Sequence, residues 1–172
     1  MNLLTPRLNI TAFRLEDEAA LHAITCKPHV MRYIGRTGQP FTAEQNRRSL
    51  EHWIARSERG EPGLWAVRLR DSDRLIGWCG CFPFLETTDH ELAYMYDDSA
   101  WGQGYATEAG AAALDHCFGT YGWERVVAIV RHANPASARV LERLNFRRGE
   151  DMQVFGTQTM YFTLDRRDHR AH

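Results

Sequence analysis

At 172 residues, with 44% apolar and 25% charged residues, the chain has the composition of a single ordinary globular domain able to bury a conventional core. The net charge of -1, with Lys27 the only lysine, shows none of the basic excess that nucleic-acid binders carry, so no nucleic-acid partner is expected. No apolar run reaches roughly 18 residues and residues 1–7 lack a signal-peptide pattern, so a cytoplasmic protein without a membrane segment is expected.

In chain order, Leu8–Phe13 alternates and reads as a first strand. Residues 15–25 carry apolar side chains at helical spacing, with Glu16, Asp17 and Glu18 in the first turn, where acids favour a helix start. Pro28–Pro40 is irregular, with a helical turn around Met31 and Tyr33. Thr42 and Gln45 form a capping-box pattern ahead of a helix reaching about Arg59. Leu64–Leu69 and Leu75–Cys81 flank the turn Asp71–Asp73 and predict a hairpin. Glu91–Tyr96 is a fourth strand, followed by a glycine turn and a helix lasting to about Phe118, whose small residues suit close packing on a sheet. Arg125–Arg131 is a β-branched fifth strand, Pro135–Leu144 a short helix, and a last hairpin turns at Gly156. The domain is expected to span 1–166, with a polar tail fraying over 167–172. Strand, helices, three strands, helix, strand, helix and hairpin make a mixed α/β domain rather than a doubly wound sheet. The four cysteines, at 26, 79, 81 and 117, read as reduced thiols, and no ligand set for a metal stands near them.

The chemistry concentrates in three places. Gly102 and Gly104 sit in a tight turn opening a helix, where unpaired N–H groups and the positive dipole end can seat a phosphate by backbone alone. A dinucleotide fingerprint would require a third glycine at 107, where Thr107 stands. Asn134-Pro135 reads as an N-cap and first helical residue, leaving the Ser137 hydroxyl free on the first turn to meet a ligand. Glu91 opens the strand that feeds the glycine turn. A charged residue at a strand edge is ordinarily just solvated, and alternation places Glu91 and its neighbour His90 on opposite faces.

Together the segments Glu91–Tyr96, Trp101–Ala109 and Asn134–Phe146, with Thr5–Leu8 and Val30–Ile34, resemble the GNAT superfamily of acetyl-CoA-dependent N-acetyltransferases. Within it, they resemble the branch holding the ribosomal-protein N-terminal acetyltransferases. The resemblance implies a three-layer fold, with a mostly antiparallel twisted sheet, splayed fourth and fifth strands and helices on both faces. It implies a pyrophosphate loop at Gly102, Gln103, Gly104, Tyr105, Ala106 and Thr107. The pantetheine arm would pair with the freed edge at Tyr94, Met95 and Tyr96, where a backbone N–H polarises the thioester carbonyl. Asn134 would hydrogen-bond the pantetheine and Ser137 would lie near the sulfur. Many relatives place a tyrosine acid where Leu141 stands here, so Ser137 is the expected substitute.

Amine attack needs a neutral nitrogen, although an α-amino group titrates near ~8 and a lysine near ~10.4. A base is therefore required, and Glu91 is the candidate because the resemblance sets this strand start on the acceptor side. The acceptor site would be built from residues 27–40 and 150–160, with Tyr33, Arg36, Trp53 and Phe84 as possible lining. The reading is transfer of acetyl from acetyl-CoA to a primary amine, on a protein N-terminus or a small molecule, releasing CoA, by a monomer or homodimer without a metal. A non-catalytic CoA-binding module of the same fold is the alternative, and a dinucleotide-dependent oxidoreductase a weaker third.

Overall fold

Alternating and β-branched segments pair into one sheet, while the amphipathic segments cover its two faces. The computed structural model describes residues 1–169. In chain order the elements are β1 (Asn2–Leu4), β2 (Leu8–Thr11), α1 (Glu18–Thr25), α2 (Pro28–Met31), α3 (Ala43–Glu58), β3 (Leu64–Leu69) and β4 (Leu75–Pro83). They continue with β5 (His90–Tyr96), α4 (Tyr105–Tyr121), β6 (Arg125–Arg131), α5 (Pro135–Arg143), β7 (Arg147–Arg148), β8 (Met152–Val154) and β9 (Thr157–Asp165). The sheet order is β1-β2-β3-β4-β5-β6-β9-β7, with β8 also paired to β9.

Every pairing is antiparallel except β5–β6, which is parallel and held by a single register pair, Glu91 with Val127. Beyond that pair the two strands part, so the sheet opens in its middle. One face packs on α4 and α5 through Trp65, Val67, Leu92, Leu114, Leu141 and Phe162. The other packs on α1–α3 through Leu21, Met31, Leu50, Leu64, Ala66 and Met95. The result is the expected three-layer mixed α/β fold.

Local signals hold where they are strong. Thr42 Oγ1 accepts from Gln45 N at 3.2 Å and Gln45 Oε1 accepts from Thr42 N at 2.9 Å, the reciprocal box that starts α3. Asn145, in the left-handed region at φ 66°, ends α5.

Four details differ from the sequence reading. Asn2–Leu4 forms an extra strand paired antiparallel with β2, so the two strands expected to splay, Glu91–Tyr96 and Arg125–Arg131, do part but count as β5 and β6. The first helix begins as a 3-10 turn at Leu15–Asp17, and Asp17 is pulled inward by Arg68 at 2.5 Å, both side chains being nearly fully buried. The final hairpin β8–β9 is joined by β7, which pairs with the other end of β9. At the C-terminus Arg166–Asp168 forms a 3-10 turn, and the His169 ring nitrogen lies 2.6 Å from Asp115 Oδ1. The remainder of the expected tail, 170–172, lies outside the described residues.

Candidate active site

The glycine turn is shaped by two left-handed residues, Gly102 at φ 74° and Gly104 at φ 81°, a conformation side chains with a Cβ disfavour. It delivers the chain into α4, whose first N–H groups have no helical acceptor. The turn is braced from behind by the N-terminal segment. Arg7 donates from Nη1 to the Gln103 carbonyl at 2.9 Å and from Nε to Glu108 Oε2 at 2.7 Å. The Arg7 backbone N–H and the Thr5 hydroxyl both donate to Glu108 Oε1, and the guanidinium lies 4.5 Å from the Tyr105 ring centre. Nothing in residue spacing announces this brace, because its halves lie about a hundred positions apart; the one signal was that Thr5–Leu8 belongs to the resemblance. Trp101 adds a further tie, its indole N–H donating to the Tyr96 carbonyl at 2.8 Å.

Gly102, Gly104, Tyr105, Ala106 and Thr107 all line one cavity of about 1010 Å³, together with Tyr94, Met95, Tyr96, Asn134 and Ser137. Gln103 does not face it. Its amide donates to the Ser99 carbonyl and its own carbonyl takes the Arg7 bond.

Ser137 is not free, contrary to the sequence reading. Its hydroxyl lies 2.9 Å from the Tyr94 hydroxyl, which also lies 3.0 Å from the Ser137 carbonyl. Burial holds the Tyr94 phenol well above its usual range, so it keeps its proton at neutral pH. Asn134 caps α5, its Oδ1 accepting from Ser137 N at 3.3 Å. Leu141 lines the same cavity with no polar group to offer. The phenol absent from α5 is thus matched by one arriving from β5, a residue the sequence reading valued only for its backbone.

Of His90 and Glu91, which alternation sets on opposite faces of β5, only Glu91 lines the cavity. Leu92, Tyr94 and Tyr96 pack towards α4 and α5, whereas Ala93 and Met95 pack towards α1–α3. His90 follows the first set and stacks on Trp123 with ring centres 3.7 Å apart. Glu91 follows the second and lines the cavity. Burial among apolar groups pushes its carboxyl up to about 8. Tyr33, Arg36 and Trp53 also line the cavity, but Phe84 does not: it is buried in the core, its ring 6.2 Å from that of Tyr161. The roof is tied across by the Tyr33 hydroxyl, which donates to the Ala133 carbonyl at 2.7 Å, and by Arg131, which donates to the carbonyls of Gly35 and Arg36. No metal-ligating cluster occurs among the described residues, and none of their helices is long and apolar enough to cross a membrane.

The glycine turn and a lifted carboxyl share one cavity, and residues 7–147 match the acetyltransferase (GNAT) domain family. The chain belongs to this family. It is 29% identical to the uncharacterized protein YkkB of Bacillus subtilis over 149 residues, 83% of each chain. It is 28% identical to the uncharacterized N-acetyltransferase YnaD of the same organism over 148 residues, 86% of this chain and 84% of that one. In structure it is similar to a GNAT-family acetyltransferase from Bacillus anthracis, with a TM-score of 0.84 at 24% identity over 96% and 98% of the two chains.

As a GNAT enzyme the chain catalyses acetyl-CoA-dependent acetylation of an amine. Its residues fit the donor. After the single Glu91–Val127 bridge, the β5 edge at Tyr94–Tyr96 has no β6 partner; the Tyr96 carbonyl takes the Trp101 indole, and the outward backbone groups left over can meet a pantetheine amide. Gly102 and Gly104, both left-handed, put no Cβ beside that edge, leaving the start of α4 open to a pyrophosphate.

Proposed function

We propose that this GNAT enzyme acetylates a primary amine, on a protein N-terminus or a small molecule, by direct attack with both substrates bound. The reading that the chain works within the ribosomal-protein N-terminal acetyltransferase branch rests on the sequence resemblance and on the similarity of fold to RimJ of Mycobacterium smegmatis (TM-score 0.78, 21% identity). A cytoplasmic site of action agrees with the free core thiols of Cys79, Cys81 and Cys117.

The donor supplies an activated thioester when bound. Gly102, Gly104, Tyr105, Ala106 and Thr107 seat its pyrophosphate through backbone N–H groups, and the free edge of β5 orients the arm and polarises the carbonyl oxygen. Asn134 sits where its remaining amide group can meet the same arm. Glu91 takes the proton that the attacking nitrogen must lose, directly or through one water. As the new C–N bond forms and the C–S bond breaks, the Ser137–Tyr94 hydroxyl pair donates towards the sulfur. The products are an N-acetylated amine and CoA thiol, so protons balance: one leaves nitrogen and one arrives at sulfur.

One observation carries this reading. Glu91, the carboxyl whose proton affinity is tuned towards neutral pH, lies in the same cavity as the phosphate loop and on the acceptor face. Substituting Glu91→Gln should lower kcat about 10²-fold above pH 8, where the carboxyl is ionised, the usual scale of general-base loss, with acetyl-CoA affinity unchanged. Release of free thiol measures the first and calorimetric titration the second. Undiminished turnover would remove Glu91 from the chemistry.

A further inference from the structure

The acceptor's chemical class is written in the wall opposite the phosphate loop. On Glu91's face of the sheet the cavity runs between β4–β5 and the helices α1–α3, where it is lined by Ile34, Phe41, Trp53, Trp78 and Phe82. These side chains pack on the second core yet stay only half-buried, because part of each faces the cavity. Phe82 pairs in register with Glu91 and its ring centre lies 5.7 Å from that of Trp53, so an aromatic surface begins directly beside the carboxyl.

Two buried polar side chains in this part are already committed to each other and to the backbone. The Thr25 hydroxyl donates to Asn46 Oδ1 at 3.0 Å and the Asn46 amide donates to the Glu18 carbonyl at 3.1 Å. Beside Trp78 and Phe82 the floor is a sheet face, where backbone N–H and C=O groups lie in the sheet plane and bond to neighbouring strands, and the unpaired β5 edge lies at the seam assigned to the donor. An extended peptide entering here would leave its own amides desolvated and unpaired, at a cost of about 1–3 kcal/mol each.

Charge narrows the class further. Among the described residues lining the cavity, Glu91 is the sole carboxylate, against arginines at 32, 36, 131, 139 and 143. Arg32 and Arg36 are exposed at the rim and stack over Tyr33 and Phe155 at 4.6 Å and 4.7 Å. An acceptor with several ammonium groups would find one counter-charge and a cationic rim.

We propose that the acceptor is a small primary amine carried on an apolar body of aromatic-ring size, with no second positive charge; this rests on the acetyl-transfer reading above. The amine nitrogen meets Glu91 and the thioester, and the body lies against Phe82, Trp53 and Trp78.

The test compares 2-phenylethylamine, propylamine, spermidine and an alanine-initiated tripeptide as acceptors for the full chain, by thiol release from acetyl-CoA. The expected result is a kcat/KM for 2-phenylethylamine at least about tenfold above each of the others, since apolar area in a fitted pocket discriminates on that scale. Phe82→Ala should raise its KM about tenfold with acetyl-CoA affinity retained, and Phe82→Leu should have a smaller effect in the same direction. Faster turnover of spermidine or the tripeptide would overturn the proposal. If no amine is acetylated, equilibrium dialysis of 2-phenylethylamine against the CoA-saturated protein decides. Binding that Phe82→Ala weakens upholds the apolar-amine site while the acetyl-transfer reading fails, and absent binding overturns the site itself.

Discussion

A carboxyl that titrates near 8 instead of at its ordinary 4.5 makes Glu91 a proton acceptor only in the upper part of the neutral range. The rate of amine acetylation should therefore rise as pH increases through about 8, and Glu91→Gln should remove that limb, leaving only the titration of the amine itself. Stability runs the other way. The folded state holds this proton up to about pH 8, whereas the unfolded chain releases it near 4.5, so the favourable contribution is complete at acid pH and is lost as pH rises through that window. Glu91→Gln should then melt higher than the wild type at pH 9, by at least ~1 kcal/mol or about 2–4 °C for a chain of this size, and equally at pH 4. Calorimetry at the two values checks it. Alternation alone places Glu91 and His90 on opposite faces, so that much is legible in residue order. Which of the two meets substrate depends on what covers each face, and that is decided by α1–α3 and by Trp123, far away in sequence.

Among the elements, those with local causes are the ones a reader of the sequence finds. The α3 cap, the β-branched β6 and the Asn134 cap of α5 each owe their form to residues within a turn of one another. The β1 strand has no such signal: three residues are too few to show alternation, and it exists because Asn2–Leu4 pairs with β2. The brace that this N-terminal segment gives the phosphate loop is equally non-local. Removing it with Arg7→Ala should weaken acetyl-CoA binding about tenfold while the fold survives, because the pair it loses is partly exposed. Gly104→Val should weaken binding more, since a β-branched residue cannot hold φ 81° at the start of α4. Titration calorimetry ranks the two, and wild-type affinity in the valine variant would count against the backbone seat. The Asp17–Arg68 pair lies deeper, with side chains 7% and 5% exposed. Asp17→Ala leaves a buried guanidinium without its counter-charge and should cost about 3–5 kcal/mol in denaturant unfolding, with α1 displaced from the sheet.

At the scale of the molecule, three layers and one sheet follow from the order of strands and helices, which is why the fold class was readable before any contact was known. The cavity was not, because it is assembled from seven or more separated segments whose only common property is that the sheet brings them together. What the parted β5 and β6 imply is mechanical. Strands β1–β5 and β6–β9 are two half-sheets sharing one ladder pair, with α4 packed on the first half, α5 on the second, and the Tyr94–Ser137 hydroxyl contact joining them across the seam. A donor whose arm hydrogen-bonds along the seam serves as the absent strand, and it should bind the folded state alone. At a hundredfold excess over its Kd that linkage adds about 2.7 kcal/mol. Amide hydrogen exchange should then slow selectively along Ala93–Tyr96 and the facing part of β6 when CoA is added, with the outer hairpins changing little. The parted strands thus give the sheet a seam, and on the proposal above the donor's arm is the piece that completes it.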